Sequence, residues 1–309
     1  MILSWILLIA GFILITAGAT WLTNGSAAVA KKLNVGEYVI GMTIVAVGTS
    51  LPEMTVSIAS TFAGSADMAI GNVVGSNIFN TLLILGICAL FAPVVFTKNN
   101  IKFDVPLCIL VSVMLLAMLA GGNLSRFEGI ILLLCYATVL YISFRFSKPE
   151  DEEESSEVEN ISWLKSIAMI LFGFIALILG ARITLDSAIE IARALGVSEH
   201  IIAITLLAGG TSLPELAASL AAIAKGHGAL ALGNVVGSNV ANILLILGAC
   251  STITPLTMSG ITTIDLLVMV GSAVLLLISA LLYGHRRITR AEGVIFLAAY
   301  IGYIWYLIA

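Results

Sequence analysis

Apolar residues run along this chain in long blocks separated by short polar stretches, and ten such blocks can be drawn: 2–24, 38–62, 69–92, 103–121, 127–145, 161–183, 199–223, 229–250, 261–283 and 291–308. About 20 mostly apolar residues in a helix cross the hydrocarbon core of a bilayer, so each block predicts one spanning helix. The alternating pattern of a membrane barrel is absent, and unbroken apolar runs suit a helix, which satisfies its backbone groups internally. The first block has no basic residue before it and is longer than the 7–15 residues of a leader's apolar region, so it reads as a span. The expected fold is an all-α membrane protein of ten transmembrane helices.

Composition and charge sharpen this picture. The chain is 60% hydrophobic and 10% charged, against about 25% charged in a soluble domain. That excludes a soluble enzyme, a nucleic-acid-binding module and a disordered scaffold. Ten spans divide the polar stretches between two faces. Lys31, Lys32, Lys98, Lys102, Arg145, Lys148, Lys165, Lys225, Arg286, Arg287 and Arg290 fall on one, and Arg126, Arg182 and Arg193 on the other. The excess of basic residues marks the first face as cytoplasmic and places both termini outside. Seven of the 18 acidic residues lie between Pro149 and Glu159, on the cytoplasmic side, and read as a solvated linker. Cys88, Cys108, Cys135 and Cys250 lie in apolar segments without metal spacing and read as packing residues.

The sequence also repeats itself at an offset of 162 residues. Val45-Ala-Val-Gly-Thr-Ser-Leu-Pro-Glu53 returns as Leu207-Ala-Gly-Gly-Thr-Ser-Leu-Pro-Glu215, and Gly71-Asn-Val-Val-Gly-Ser-Asn77 returns unchanged as Gly233 to Asn239. Aligned without gaps, 36–86 and 198–248 share 27 of 51 residues. This divides the chain into a first five-helix repeat (1–146), an acidic cytoplasmic linker (147–160) and a second five-helix repeat (161–309). Because five is odd, the second repeat enters the membrane from the opposite side. Two inverted repeats are an architecture of secondary transporters, whose sites lie near the midplane between the halves.

Ionisable groups inside spans are costly and usually functional. Glu53 and Glu215, repeat equivalents, are the carboxylates deep within predicted spans; Asp67, Asp104 and Asp265 fall at segment ends. No Lys or Arg lies mid-span to neutralise the two glutamates, so their partner is a cation from solution. Pro52 and Pro214, with Gly48 and Gly210, should break the second and seventh helices, freeing carbonyls of Ala46 to Thr49 and of Ala208 to Thr211. Carboxylates and carbonyls together form an oxygen cage for a hard cation such as calcium. Ser76 and Asn80 share one helical face, which Ser238 and Asn242 repeat; they are ligand or gate candidates. Gly71, Gly75, Gly233 and Gly237 read as close-packing residues, and His200, His227 and His285 as peripheral.

The pair of Gly-Thr-Ser-Leu-Pro-Glu and Gly-Asn-Val-Val-Gly-Ser-Asn motifs, present twice, resembles the alpha-repeats of the calcium/cation antiporter superfamily, and most closely its prokaryotic sodium/calcium exchangers. The resemblance covers the whole chain. It implies calcium binding by Glu53 and Glu215 with backbone oxygens of Thr49 and Thr211. It also implies sodium sites that use the same glutamates with oxygens of Ala46, Ser50, Ser76, Ala208, Ser212 and Ser238. The Gly-Thr-Ser sequence favours sodium over proton coupling, and Asn242, an aspartate in the potassium-dependent branch, argues against potassium co-transport. The expected function is antiport of calcium against sodium, electrogenic and by alternating access, in the plasma (inner) membrane of a prokaryote. Calcium and sodium are cargo; no cofactor, nucleic acid or enzymatic activity is expected. The alternative on the same scaffold is a proton/calcium (divalent cation) antiporter. A cation channel is disfavoured by the internal twofold, and a membrane enzyme by the lack of a nucleophile–base pair.

Overall fold

The structure is a computed structural model that describes residues 2–146, 161–197, 208–281 and 286–308. Among these residues eight helices are long and apolar enough to cross a membrane, and a bent pair brings the number to nine. In chain order the helices are α1 (Ile2–Leu33), the pair α2 (Glu37–Thr49) and α3 (Leu51–Phe62), α4 (Asp67–Phe91), α5 (Asn100–Gly121), α6 (Arg126–Phe146) and α7 (Trp163–Ala194). After a helical turn at Ala208–Gly210 come α8 (Leu213–Ala224), α9 (Gly228–Ile253), α10 (Thr263–Leu281) and α11 (Arg290–Ile308). Residues 199–207 of the predicted block 199–223 and the acidic linker lie outside the described residues. The chain is an all-helical membrane protein whose described helices overlap the predicted blocks, but α1 and α7 run 32 residues each, to Leu33 and Ala194, well past the predicted ends at 24 and 183.

Large apolar side chains stand on its surface: Leu164, Ile2 and Trp305 are 81%, 79% and 76% exposed. In contrast, α4 and α9, which carry the Gly-Asn-Val-Val-Gly-Ser-Asn motifs, are the most deeply enclosed helices. Four of the described helices contain wide π turns that the periodicity did not predict, at Gly41–Val45, Phe79–Ile84, Asn100–Asp104 and Asn242–Leu247. Such turns cluster at functional sites, and here two of them contain Asn80 and Asn242.

The repeat is visible element by element. α3 and α8 begin and end 162 residues apart. Four two-residue strands, β1 (Val94–Val95), β2 (Asn123–Leu124), β3 (Leu256–Thr257) and β4 (Arg287–Ile288), pair as β1 with β4 and β2 with β3, both antiparallel. Each ribbon joins one half to the other, and each joins two loops that the span count assigns to the same face. The basic face has further links between the halves. Lys225 Nζ donates to Asn24 Oδ1 at 2.6 Å, and Lys32 lies 5.7 Å from the ring centre of Trp163.

Helices α1 and α7 cross on glycines in the same reciprocal way. A Cβ at Gly18 would stand 2.8 Å from Gly173 O, and one at Gly180 would stand 2.9 Å from Gly11 O. Only residues without a Cβ allow backbones to meet so closely, as is common where membrane helices associate. His227 does sit at a span end, but it is buried rather than peripheral. Its Nδ1 lies 2.9 and 3.0 Å from the two carboxylate oxygens of Glu37, linking the start of α9 to the start of α2. His200 and His285 lie outside the described residues. Asp265 is held by Thr262 and Tyr303, and Asp104 by Asn100, in keeping with local roles. All four cysteines are unpaired.

Candidate cation-binding site

The second span bends by 46° between Thr49 and Leu51. The break is narrower than the sequence implies. Ala46–Thr49 stays helical, and Ala46 O still accepts the Ser50 N–H at 3.0 Å. Ser50 alone leaves the helix, with φ −81° and ψ 8°, and Ser212 matches it with φ −90° and ψ 8°. The physical reason is the position of the proline. Pro52 and Pro214 stand in the first turn of α3 and α8, where the missing N–H would have had no helical acceptor. Gly48 serves packing: a Cβ there would run into the Phe174 ring.

This geometry puts Glu53 and Glu215 in the first turns of α3 and α8, both fully buried. Negative charge is favourable at a helix N-terminus, where unpaired N–H groups point outward. The two carboxylates are tied together across the repeat. Ser50 Oγ donates to Glu215 Oε1 at 2.8 Å, and Ser212 Oγ donates to Glu53 Oε1 at 2.8 Å. Ser212 Oγ also lies 3.3 Å from Ser76 Oγ, and Ser238 Oγ donates to Ala46 O at 3.5 Å. These bonds bring together candidates from five helices: Ala46 and Ser50 at the end of α2, Glu53 of α3, Ser76 of α4, Ser212 with Glu215 at the start of α8, and Ser238 of α9; Asn80 and Asn242 lie one turn further along α4 and α9. Ala208 lies in the helical turn that leads into Thr211 and Ser212.

Asparagines that the sequence reading passed over set the orientation of two ligand candidates. Asn80 Nδ2 donates to Asn239 Oδ1 at 3.2 Å, and Asn242 Nδ2 donates to Asn77 Oδ1 at 3.0 Å. With their nitrogens held in this way, Asn80 and Asn242 keep Oδ1 free. Asn72 and Asn234 brace the glutamates from behind. Asn72 Nδ2 donates to Glu53 O at 3.1 Å and to Ser57 Oγ at 3.0 Å; Asn234 Nδ2 donates to Glu215 O at 3.3 Å and to Ser219 Oγ at 3.0 Å. The signal for all four was present, since each stands at an unchanged position in both copies of the motif.

What this leaves is a set of acceptors without donors. Glu53 Oε2, Glu215 Oε2, Asn80 Oδ1 and Asn242 Oδ1 are buried, and none has a hydrogen-bond partner. Buried polar atoms are nearly always paired, and exceptions call for an explanation such as an ion. Two are carboxylate oxygens and two are amide oxygens, and such oxygens ligate sodium-like and calcium-like ions rather than soft metals. Among the described residues no three His, Cys, Asp or Glu side chains gather as a metal cluster. The neutral oxygens must therefore complete any coordination shell.

Known proteins place the chain in context. The family model described as sodium/calcium exchanger protein matches residues 3–145 and again 165–309, once for each half. The sodium/calcium exchanger MaX1 of Methanosarcina acetivorans is 30% identical, over 97% of either chain. The inner membrane protein YrbG of Escherichia coli is 36% identical, over 82% of this chain and 81% of its own. Among solved structures, the sodium-calcium exchanger NCX_Mj soaked with zero Na+ and Ca2+ superimposes with a TM-score of 0.87 at 33% identity, covering 99% of each chain. The chain thus belongs to the sodium/calcium exchanger protein family.

Proposed function

We propose that this chain exchanges calcium for sodium by alternating access at one midplane site, built where two inverted five-helix repeats meet. On this reading residues 1–146 and 161–309 supply five spans each, ten in all. The linker 147–160 lies in the cytoplasm, both termini lie outside, and the membrane is the plasma (inner) membrane of a prokaryote. Relatives named as a sodium/calcium exchanger and as an inner membrane protein support this assignment. So does the excess of basic residues on one face.

The observation that carries the proposal is the pair of buried carboxylates, each bonded to the serine beside the other, with Glu53 Oε2, Glu215 Oε2, Asn80 Oδ1 and Asn242 Oδ1 left without a hydrogen-bond partner. A doubly charged cage is matched by one calcium ion. Sodium ions that take the same oxygens, together with those of Thr49, Thr211, Ala46, Ala208, Ser50, Ser212, Ser76 and Ser238, displace it. More than two sodium ions per calcium makes the cycle electrogenic. Ser50 and Ser212 each donate a hydrogen bond to the opposite glutamate, which leaves the serine lone pairs for an ion. Coupling follows because an empty cage would carry two uncompensated charges through a low-dielectric interior, and this holds back the change of face. With an amide at Asn242 rather than a third carboxylate, the site carries no added charge for potassium. No bond is made or broken in the cargo, and no cofactor is needed.

The test is calcium uptake into proteoliposomes under an imposed sodium gradient. Uptake driven by sodium, indifferent to potassium and altered by a membrane potential, is the expected result. Uptake driven by a pH gradient without sodium would replace this reading with the proton/calcium alternative.

A further inference from the structure

The bonds that Asn72 and Asn234 make to the glutamates are the same in both halves, but their Oδ1 atoms are not. Asn234 Oδ1 accepts from the Thr49 hydroxyl across the repeat boundary at 3.1 Å. The same hydroxyl also lies 3.1 Å from Val45 O and 3.3 Å from Ala46 O. The mirror-image bond would join the Thr211 hydroxyl to Asn72 Oδ1. It is not formed: Thr211 Oγ1 is buried and makes no well-formed hydrogen bond, the group it interacts with being the Glu53 carboxylate and not Asn72. Burial follows the same division. Thr49 is 0% and Asn234 1% exposed, while Thr211 and Asn72 are only half-buried. On the braced side α2 lies so close to α9 that a Cβ at Gly233 or Gly237 would overlap the backbone of Tyr38 or Met42.

We infer that Thr49–Asn234 and Thr211–Asn72 are alternating braces, one made and one broken in each facing state, with Asn72 and Asn234 as the positioning residues that carry them. The inference rests on the alternating-access reading proposed above. In inverted repeats the opposite-facing state arises when the two halves exchange conformations. The bond made here is then the one released, and the Thr211 hydroxyl bonds Asn72 instead. Neither asparagine side chain needs to touch the ion; each acts through the threonine and the glutamate carbonyl that it holds. The pair provides a two-state element, made of atoms already in place, whose equilibrium either side can bias.

The mirror relation gives opposite signs, which a merely structural role does not. The readout is amide hydrogen exchange over Glu37–Val45 in the full-length protein in nanodiscs without calcium. Asn234→Ala removes the brace made here and should speed exchange at least about fivefold, the lower edge of coupling between linked sites. Asn72→Ala removes the brace of the opposite state and should slow exchange by a similar factor, with the double variant near wild type. Thr49→Val and Thr211→Val, which keep every bond from the asparagine nitrogens, should repeat the two signs if an alanine variant fails to fold. Faster exchange in both single variants, or no change in either, would overturn the inference. Because the readout needs no cargo, a wild type that lacks sodium-driven calcium flux counts against the exchange reading alone.

Discussion

The two helix breaks carry the same six residues, Gly-Thr-Ser-Leu-Pro-Glu, yet they are not packed alike. At both, the serine leaves the helix with nearly the same angles and bonds the opposite glutamate at the same 2.8 Å. Around them, Thr49 is enclosed and bonded to Asn234, while Thr211 is half-buried and not bonded to Asn72. The candidate ligands are therefore symmetric and the walls around them are not. A carrier needs this combination: a site of constant chemistry that its surroundings seal from one side at a time.

The largest effect should come from the carboxylates, and it should be equal at the two. Glu53→Gln and Glu215→Gln each remove half of the charge that neutralises a divalent ion. Truncating one partner of a buried charged pair costs about 2–5 kcal/mol, so sodium-driven calcium flux should fall at least about 30-fold in either variant. A loss in one that exceeds the other by more than tenfold would break the symmetry. Next come the serines. Ser50→Ala and Ser212→Ala each delete one hydrogen bond to a charged group, worth about 1.5–3 kcal/mol, and the apparent sodium affinity should weaken at least about tenfold in both. Unequal effects there, with the glutamates still equal, would locate the asymmetry in the serines rather than in the surrounding walls.

Much of the fold was legible because lipid leaves few choices. Unbroken apolar blocks have to become helices, and the offset of 162 residues was written in unchanged motifs. The glutamates were legible for the same reason, since a carboxylate in the middle of a span needs a partner. The extent of the breaks was not. Proline announces a disrupted helix, but only its place in the first turn of α3 limits the damage to Ser50 and leaves Ala46 O bonded. The π turns at Asn80 and Asn242 arise from one extra residue per turn, which no residue type marks. Asn72, Asn77, Asn234 and Asn239 were overlooked because a small polar residue in a span is often only glue between helices. Their function lies in which atom each offers, and that depends on the neighbouring half. His227 looked peripheral because a span end reads as surface until Glu37 is seen against it.

If Glu53 and Glu215 form one site that calcium and sodium occupy in turn, the two ions must compete for it. Equilibrium binding of radioactive calcium to the purified protein tests it most directly. One calcium should bind per chain and be displaced competitively by sodium. Calcium that stays bound at saturating sodium, or a stoichiometry of two independent calcium ions, would contradict it.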